Sequence, residues 1–439
     1  QVWAWLAGMA TRPAATSCYY ESLICAIDRA FKALAPVFPE SLGAQHLRSV
    51  CTVLMAGLLC SCGKKEEPPI QEEPGAVEPV TAGNAEELLA KLTVQEKVGQ
   101  LFLISPDALD TTQTPQQRQD PNQPGLTQVD ASARNVLKDY PVGGFVCTAK
   151  QLQDPDQLES LMTRLSQSSR VPPLFAIEEE GGSRSPFAGK ETFSSPQVAD
   201  MATVGADGDP AKAKQAGLAL GSFLRDLGFH LDLAPVADVK TDPDNAVLGN
   251  RSFGTHPEQT AMLVSAAVDG FHEAGVACAL KHFPGEGSAR WDSQTGRAST
   301  EKTWQEMLTC EIYPFQAGMA TGADAVLVSH MTAPNAVQDG LPASLSREMI
   351  TEKLRGELRF QRVILTDSLS AQAITDTYSA GQAALLAFQA GADLLLMPED
   401  LPEAYDALLS AVEKGTISQE RLDQSVLRIL QLKEKYDLI

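Results

Sequence analysis

The sequence predicts an α/β fold of repeated βα units, closing as an eight-stranded parallel barrel with helices outside. Three observations predict it. Apolar runs of strand length recur near 142–147, 173–177, 229–233, 276–280, 325–328, 363–366 and 393–397. Longer segments of helical pattern separate them, as at 154–169, 211–226, 257–275 and 380–390, and such alternation marks a parallel sheet with helical crossovers. Charged residues follow several of the runs directly, at the strand ends where barrel loops gather into a ligand site. Seven strand candidates are one short of closure, so either the eighth lies near the C-terminal helices or the barrel is irregular. The segment 402–437 reads as two closing helices, with Gly415 and Ser418 marking the break.

The front of the chain belongs to no βα unit. Residues 1–47 match no recognisable element and are left as an unplaced leader. Arg48 precedes an apolar run at 50–59, which at ten residues is too short to span a bilayer as a helix. A buried helix would also fit that run. However, Leu59-Cys60-Ser61-Cys62 resembles the lipobox at which bacterial lipoproteins are cleaved, so 48–62 is expected to be a signal peptide with Cys62 as the lipidated residue. The resemblance implies an exported cell-surface or periplasmic lipoprotein that meets the membrane through its lipid anchor only. From 63 to 84 the chain is rich in Glu and Pro and poor in large apolar residues, which predicts a flexible tether. The barrel domain is expected over 85–439.

Composition narrows the class. With 439 residues, 44% of them hydrophobic, the chain can bury a large core. A formal charge of −21 argues against nucleic acid as a partner. Of eight cysteines, Cys147, Cys278 and Cys310 fall within the domain and read as inert thiols rather than a disulfide framework. No pairing of Cys-x-x-Cys with histidine suggests zinc, and no cofactor is expected.

The chemistry is concentrated at three strand ends. The run 276–280 stops at Lys281-His282 and a Pro284-Gly285 turn, placing a cationic pair at a strand's carboxyl end. The run 173–177 enters Glu178-Glu179-Glu180 and leaves through Gly181-Gly182. Asp367 follows Val363-Ile364-Leu365, either projecting into a site or capping the next helix.

Together these segments resemble glycoside hydrolase family 3, in its single-domain bacterial β-N-acetylhexosaminidase branch. Leu92 to Phe102 resembles that family's opening helix and Val142 to Val146 its first barrel strand. Gly228, Phe229, Asp232, Ala234, Pro235, Val236, Asp238 and Val239, with Arg251-Ser252-Phe253-Gly254, resemble the third strand and its loop. Lys281-His282-Phe283-Pro284-Gly285-Glu286-Gly287, Asp292-Ser293-Gln294, Pro342 to Ser346 and Thr366 to Ser370 complete the order. The resemblance implies a (β/α)8 TIM-like barrel, a covalent glycosyl intermediate on Asp367, and sugar binding by Glu178, Arg251, Lys281 and His282. Retention requires a nucleophilic carboxylate plus a group that donates and then accepts a proton.

Four positions depart from the family pattern. Glu178 stands for an aspartate and Ser183 for an arginine. Gln294 replaces the proton-donating histidine that Asp292 would orient, and glutamine cannot donate a proton at neutral pH. Glu286 replaces a second histidine, and burial could make it the acid instead. Three readings follow: an exo-acting β-N-acetylhexosaminidase acting on N-acetylglucosaminides or cell-wall fragments, with Asp367, Glu286 and Asp292 as its catalytic group; a non-catalytic amino-sugar binder; or a relative of altered specificity, such as a β-glucosidase or a phosphorylase.

Overall fold

The computed structural model describes residues 77–439 except Arg290 and Arg297. Cys62, the leader, the signal segment and most of the expected tether therefore lie outside the described residues. The last part of that tether, 77–84, runs against the barrel, where the Val77 and Val80 amides donate to the carbonyls of Gln167 and Arg170.

Eight parallel strands form the barrel: β1 Phe102–Ile104, β2 Gly144–Cys147, β3 Leu174–Ile177, β4 Leu231–Asp232, β5 Ala277–Phe283, β6 Ala325–Val328, β7 Val363–Thr366 and β8 Leu395–Leu396. Consecutive strands pair in order, and β1 also pairs with β8. A parallel bridge from Leu365 to Leu394, with the Thr366 amide on the Leu394 carbonyl, joins β7 to β8 and completes the circuit. Every strand residue is buried, as expected where helices cover the outside of a parallel sheet.

The eighth strand is β1, not a segment near the C-terminal helices. Its short apolar run, Leu101-Phe102-Leu103-Ile104, conceals it, because no turn residue separates that run from the amphipathic helix ending at Gln100. Helix α1 is Ala85–Lys91, and α2, Val94–Gln100, stops one residue before the strand's approach. A Cβ on Gly143 would lie 2.3 Å from the Gln100 carbonyl oxygen, so only glycine lets β2 start against that helix end. The segment expected as the first barrel strand is thus the second, the triple-glutamate loop follows the third strand, and the 228–239 set belongs to the fourth.

After α3, Ala131–Asp139, come α4 Pro155–Gln167, α5 Pro210–Asp226, α6 Pro257–Ala274, α7 Tyr313–Thr321 and α8 Ala380–Ala390. Of these, α4, α5, α6 and α8 fall where their patterns predict, while α3 and α7 have no counterpart among the expected helices. Gly275 and Gly391 end α6 and α8 in the left-handed conformation that glycine supplies. The closing pair is α9 Leu401–Glu413 and α10 Gln419–Lys435, with Ser418 capping α10 through its hydroxyl on the Arg421 amide.

Helix α10 is tied to the barrel's amino-terminal face. Lys433 is fully buried, donates to Gln100 Oε1 at 2.7 Å and to the Pro172 carbonyl at 2.8 Å, and burial pulls its pKa down to about 7. Asp324 collects Tyr436 Oη at 2.7 Å, His272 at 2.9 Å and the Lys435 ammonium. Cys278 adjoins this cluster, so His272, Cys278 and Asp324 form a group with metal-ligand chemistry that sequence spacing did not reveal. The thiols of Cys147 and Cys278 are buried, and burial raises their pKa values, that of Cys147 to about 12.

Candidate active site

The carboxyl ends of β3 and β5 and the loop after β4 bring four charged residues into one network. Lys281, at 1% exposure, donates to Glu178 Oε1 and lies 2.6 Å from Glu180 Oε1. Arg251 grips Glu180 with two bonds, Nε to Oε2 at 2.7 Å and Nη2 to Oε1 at 2.6 Å. This fork-to-carboxylate pairing adds directional specificity to the charge attraction. Against the desolvation of burial, Lys281 and Arg251 hold the Glu180 carboxyl well below its ordinary range. Glu178 instead reaches the rim, with its side chain 54% exposed and 3.7 Å from Arg251.

Asp238, fully buried after β4, organises the start of the next loop. Its carboxylate accepts the amides of His282 and Glu286 and the His282 Nδ1–H at 2.7 Å. Burial and Arg251 disfavour a charged His282 ring while Asp238 and Glu286 favour it, with a net upward shift. Arg251 Nη2 stands 3.1 Å from Nε2, and a guanidinium only donates, so in this geometry Nε2 accepts and the ring is neutral.

Asp367 leaves β7 with its amide on the Val328 carbonyl. Its carboxylate accepts the Ser368 amide at 2.7 Å and Gln294 Nε2 at 2.6 Å. It caps no helix: the next begins at Gln372 behind Ala371. Asp292, expected to orient a proton donor, binds backbone instead. Its carboxylate accepts the Gln294 amide at 2.9 Å and caps the short turn Ser293–Thr295.

The same loop carries Glu286, which is 7% exposed and has one oxygen, Oε1, without a partner. Burial, reinforced by Asp238 and Asp367 and opposed by His282 and a bond to Ser293, raises its pKa to about 7. Two carboxyls of unlike environment therefore lie in one electrostatic neighbourhood.

Sequence reasoning had named Glu178, Arg251, Lys281, His282, Glu286, Asp292 and Asp367, and the structure brings all seven to one face of the barrel. It missed the roles of Glu180 and Asp238, which hold the cations and the loop. It also missed His330, buried just beyond β6, whose Nε2 donates to the Ser368 carbonyl at 2.8 Å and whose Nδ1 accepts the Ser344 hydroxyl at 2.7 Å. The signal was available: Ser329-His330 ends an apolar strand as Lys281-His282 does.

A parallel barrel with charged hydrogen-bond donors and two dissimilar carboxyls at its carboxyl-terminal mouth has the parts of a two-carboxylate glycoside hydrolase. Comparison with known proteins gives the same class. The chain belongs to glycosyl hydrolase family 3, whose N terminal domain matches residues 93–432. It is 30% identical over 336 residues to Beta-hexosaminidase A of Pseudoalteromonas piscicida, covering 71% of this chain and 56% of that protein. With the Beta-hexosaminidase of Stenotrophomonas maltophilia it shares 32% over 304 residues, covering 67% and 87%. A family 3 β-N-acetylglucosaminidase structure from Paenibacillus sp. superposes with a TM-score of 0.71 at 36% identity, covering 79% of this chain and 63% of that one. The chain thus spans little more than half of the Pseudoalteromonas relative.

Proposed function

We propose that the protein is an exo-acting β-N-acetylhexosaminidase that retains anomeric configuration, with Asp367 as nucleophile and Glu286 as acid and base. The observation that carries this reading is the Glu286 carboxyl, buried, with a free oxygen and a pKa near 7, on the loop that also places Gln294 against Asp367. Lys281, Arg251 and His282 offer donors to the sugar hydroxyls. The Asp367 carboxylate attacks the anomeric carbon while Glu286 passes its proton to the departing oxygen, leaving a glycosyl ester and a free alcohol. Glu286, now a carboxylate, takes a proton from water, whose oxygen attacks the same carbon and frees Asp367. Gln294 cannot serve as acid; its amide donates to the nucleophile.

The experiment compares Glu286→Gln with the parent on two substrates. Loss of the acid should slow a natural-type glycoside by about 10²–10⁴-fold and an activated aryl glycoside far less, because a good leaving group departs without a proton. Equal losses on both would remove Glu286 from the role. The relatives named as hexosaminidases support N-acetylglucosaminides as the substrate class. For location, the Leu59 to Cys62 segment supports a lipoprotein anchored to the cell envelope through Cys62.

A further inference from the structure

Away from the mouth, at the amino-terminal ends of β5 and β6, three side chains bring a nitrogen, a sulfur and an oxygen together. His272 lies in the last turn of α6, Cys278 is the second residue of β5, and Asp324 directly precedes β6. Their donor atoms all lie within 4.8 Å of one another. His272 Nε2 is 2.9 Å from Asp324 Oδ2 and 4.0 Å from Cys278 Sγ. Backbone pairing fixes two of the three: the Asp324 amide donates to the Cys278 carbonyl, and the Cys278 amide donates to Asp324 Oδ2, each at 3.2 Å.

These atoms suit one class of ligand. Imidazole, thiolate and carboxylate are the donors of tetrahedral zinc, whereas magnesium and calcium take oxygen. Bonds of about 2.0–2.3 Å set tetrahedral donors about 3.3–3.6 Å apart, so the present spacings need shifts of about half an ångström. Asp324 is already oriented from outside: the Lys435 ammonium takes Oδ1, and Tyr436 Oη donates to Oδ2 at 2.7 Å. Such outer contacts aim a carboxylate at a metal. Burial and Asp324 push the pKa of the Cys278 thiol up, so an incoming ion must displace the thiol proton, which leaves to water. A route in exists, since His272 and Tyr436 line a cavity of about 610 Å³ and the His272 side chain is 24% exposed.

We propose that His272, Cys278 and Asp324 bind one zinc ion, with a water from the cavity in the fourth position, and that the ion ties α6 to the starts of β5 and β6. The site lies toward the opposite end of β5 from Lys281 and His282, so it stands or falls independently of the hydrolase reading. The test titrates the full chain, freed of metal by a chelator, with cobalt(II), which takes zinc's place and reports a thiolate ligand by its charge-transfer absorption. The parent should show one equivalent of this absorption that Cys278→Ser lacks, and zinc should displace it. His272→Gln keeps the thiol and alters the partly exposed ligand, so it serves even if the serine variant does not fold. It should bind cobalt at least about 100-fold more weakly, since loss of an outer contact alone costs about 10–100-fold. Zinc should also raise the thermal unfolding midpoint of the parent, because it binds the folded state. The site is overturned by a parent without the absorption, by an undiminished band in Cys278→Ser, by parent-like affinity in His272→Gln, or by a midpoint that zinc does not raise.

Discussion

Replacing Glu286 with glutamine should make the folded protein more stable at alkaline pH while making the enzyme slower. The carboxyl has an ordinary pKa of 4.5 and one of about 7 when folded, because burial penalises its charged form. At about 1.4 kcal/mol for each tenfold change in proton affinity, that displacement corresponds to roughly 3.5 kcal/mol, of which about 3 is expressed by pH 8. The sign follows from proton counts. A raised folded-state pKa means that the native protein binds more protons than the unfolded chain between pH 4.5 and 7, so the favourable term is complete below 4.5 and is lost as pH rises through 7. Above pH 8 the parent carries a buried, half-bonded carboxylate. Glutamine fills the same space without charge. Denaturant unfolding midpoints at pH 4 and pH 8 should therefore show little difference between the proteins at acid pH and an advantage for Glu286→Gln of up to about 3 kcal/mol at pH 8. The same titration predicts a fall in parent kcat/KM as pH rises above about 7, because the acid must be protonated in free enzyme, and this limb should vanish in the variant. A stability difference that does not change with pH, or a variant weaker than the parent at pH 8, would refute the burial argument.

Asp367→Ala should abolish turnover of any glycoside while altering sugar affinity by only a small factor, measured by titration with the product sugar. Lys281→Met removes one of the two cations that Glu178 and Glu180 share, leaving Arg251 on Glu180, and should cost about 1.5–3 kcal/mol in thermal or denaturant unfolding. Cys62→Ala should release the protein from the membrane fraction of its natural host; unchanged fractionation would refute the anchor.

How much was legible depended on whether a feature is local. Seven of eight strands and both closing helices could be read because each is an uninterrupted apolar or amphipathic segment bounded by turn residues. β1 could not, since three apolar residues continuing a helix's own pattern carry no separate signal, and the close approach at Gly143 is visible only in three dimensions. In the site, residues immediately after strands were found because strand ends point at the mouth. Asp238 and Glu180 were quoted without their roles because their importance lies in partners 44 and 71 positions away. Asp292 shows the opposite case: the family pattern suggests a role toward its neighbour's side chain, while the local contact the structure shows, its carboxylate capping the turn beside it, is a common use of aspartate.

Glu286 and Gln294 are best understood as one exchange. In the related pattern both positions are histidines, and the later one delivers the proton. Here the later position carries an amide whose donor lies on Asp367, so it contributes a hydrogen bond to the nucleophile in place of a proton to the leaving group. On the proposed mechanism, proton delivery then falls to the earlier position, where Asp238 holds the Glu286 amide and burial raises the carboxyl pKa to about 7. Gln294→His puts this division to a direct test. An imidazole there would sit beside the Asp367 carboxylate, which favours its charged form, and it would again offer a proton at the mouth of the barrel. If the division is correct, Gln294→His should restore turnover of a poor leaving group in the Glu286→Gln background, with kcat/KM recovering at least about tenfold of the lost activity. No recovery would mean that the loop cannot bring position 294 to the leaving oxygen, and the proton path would have to be sought elsewhere around Asp367.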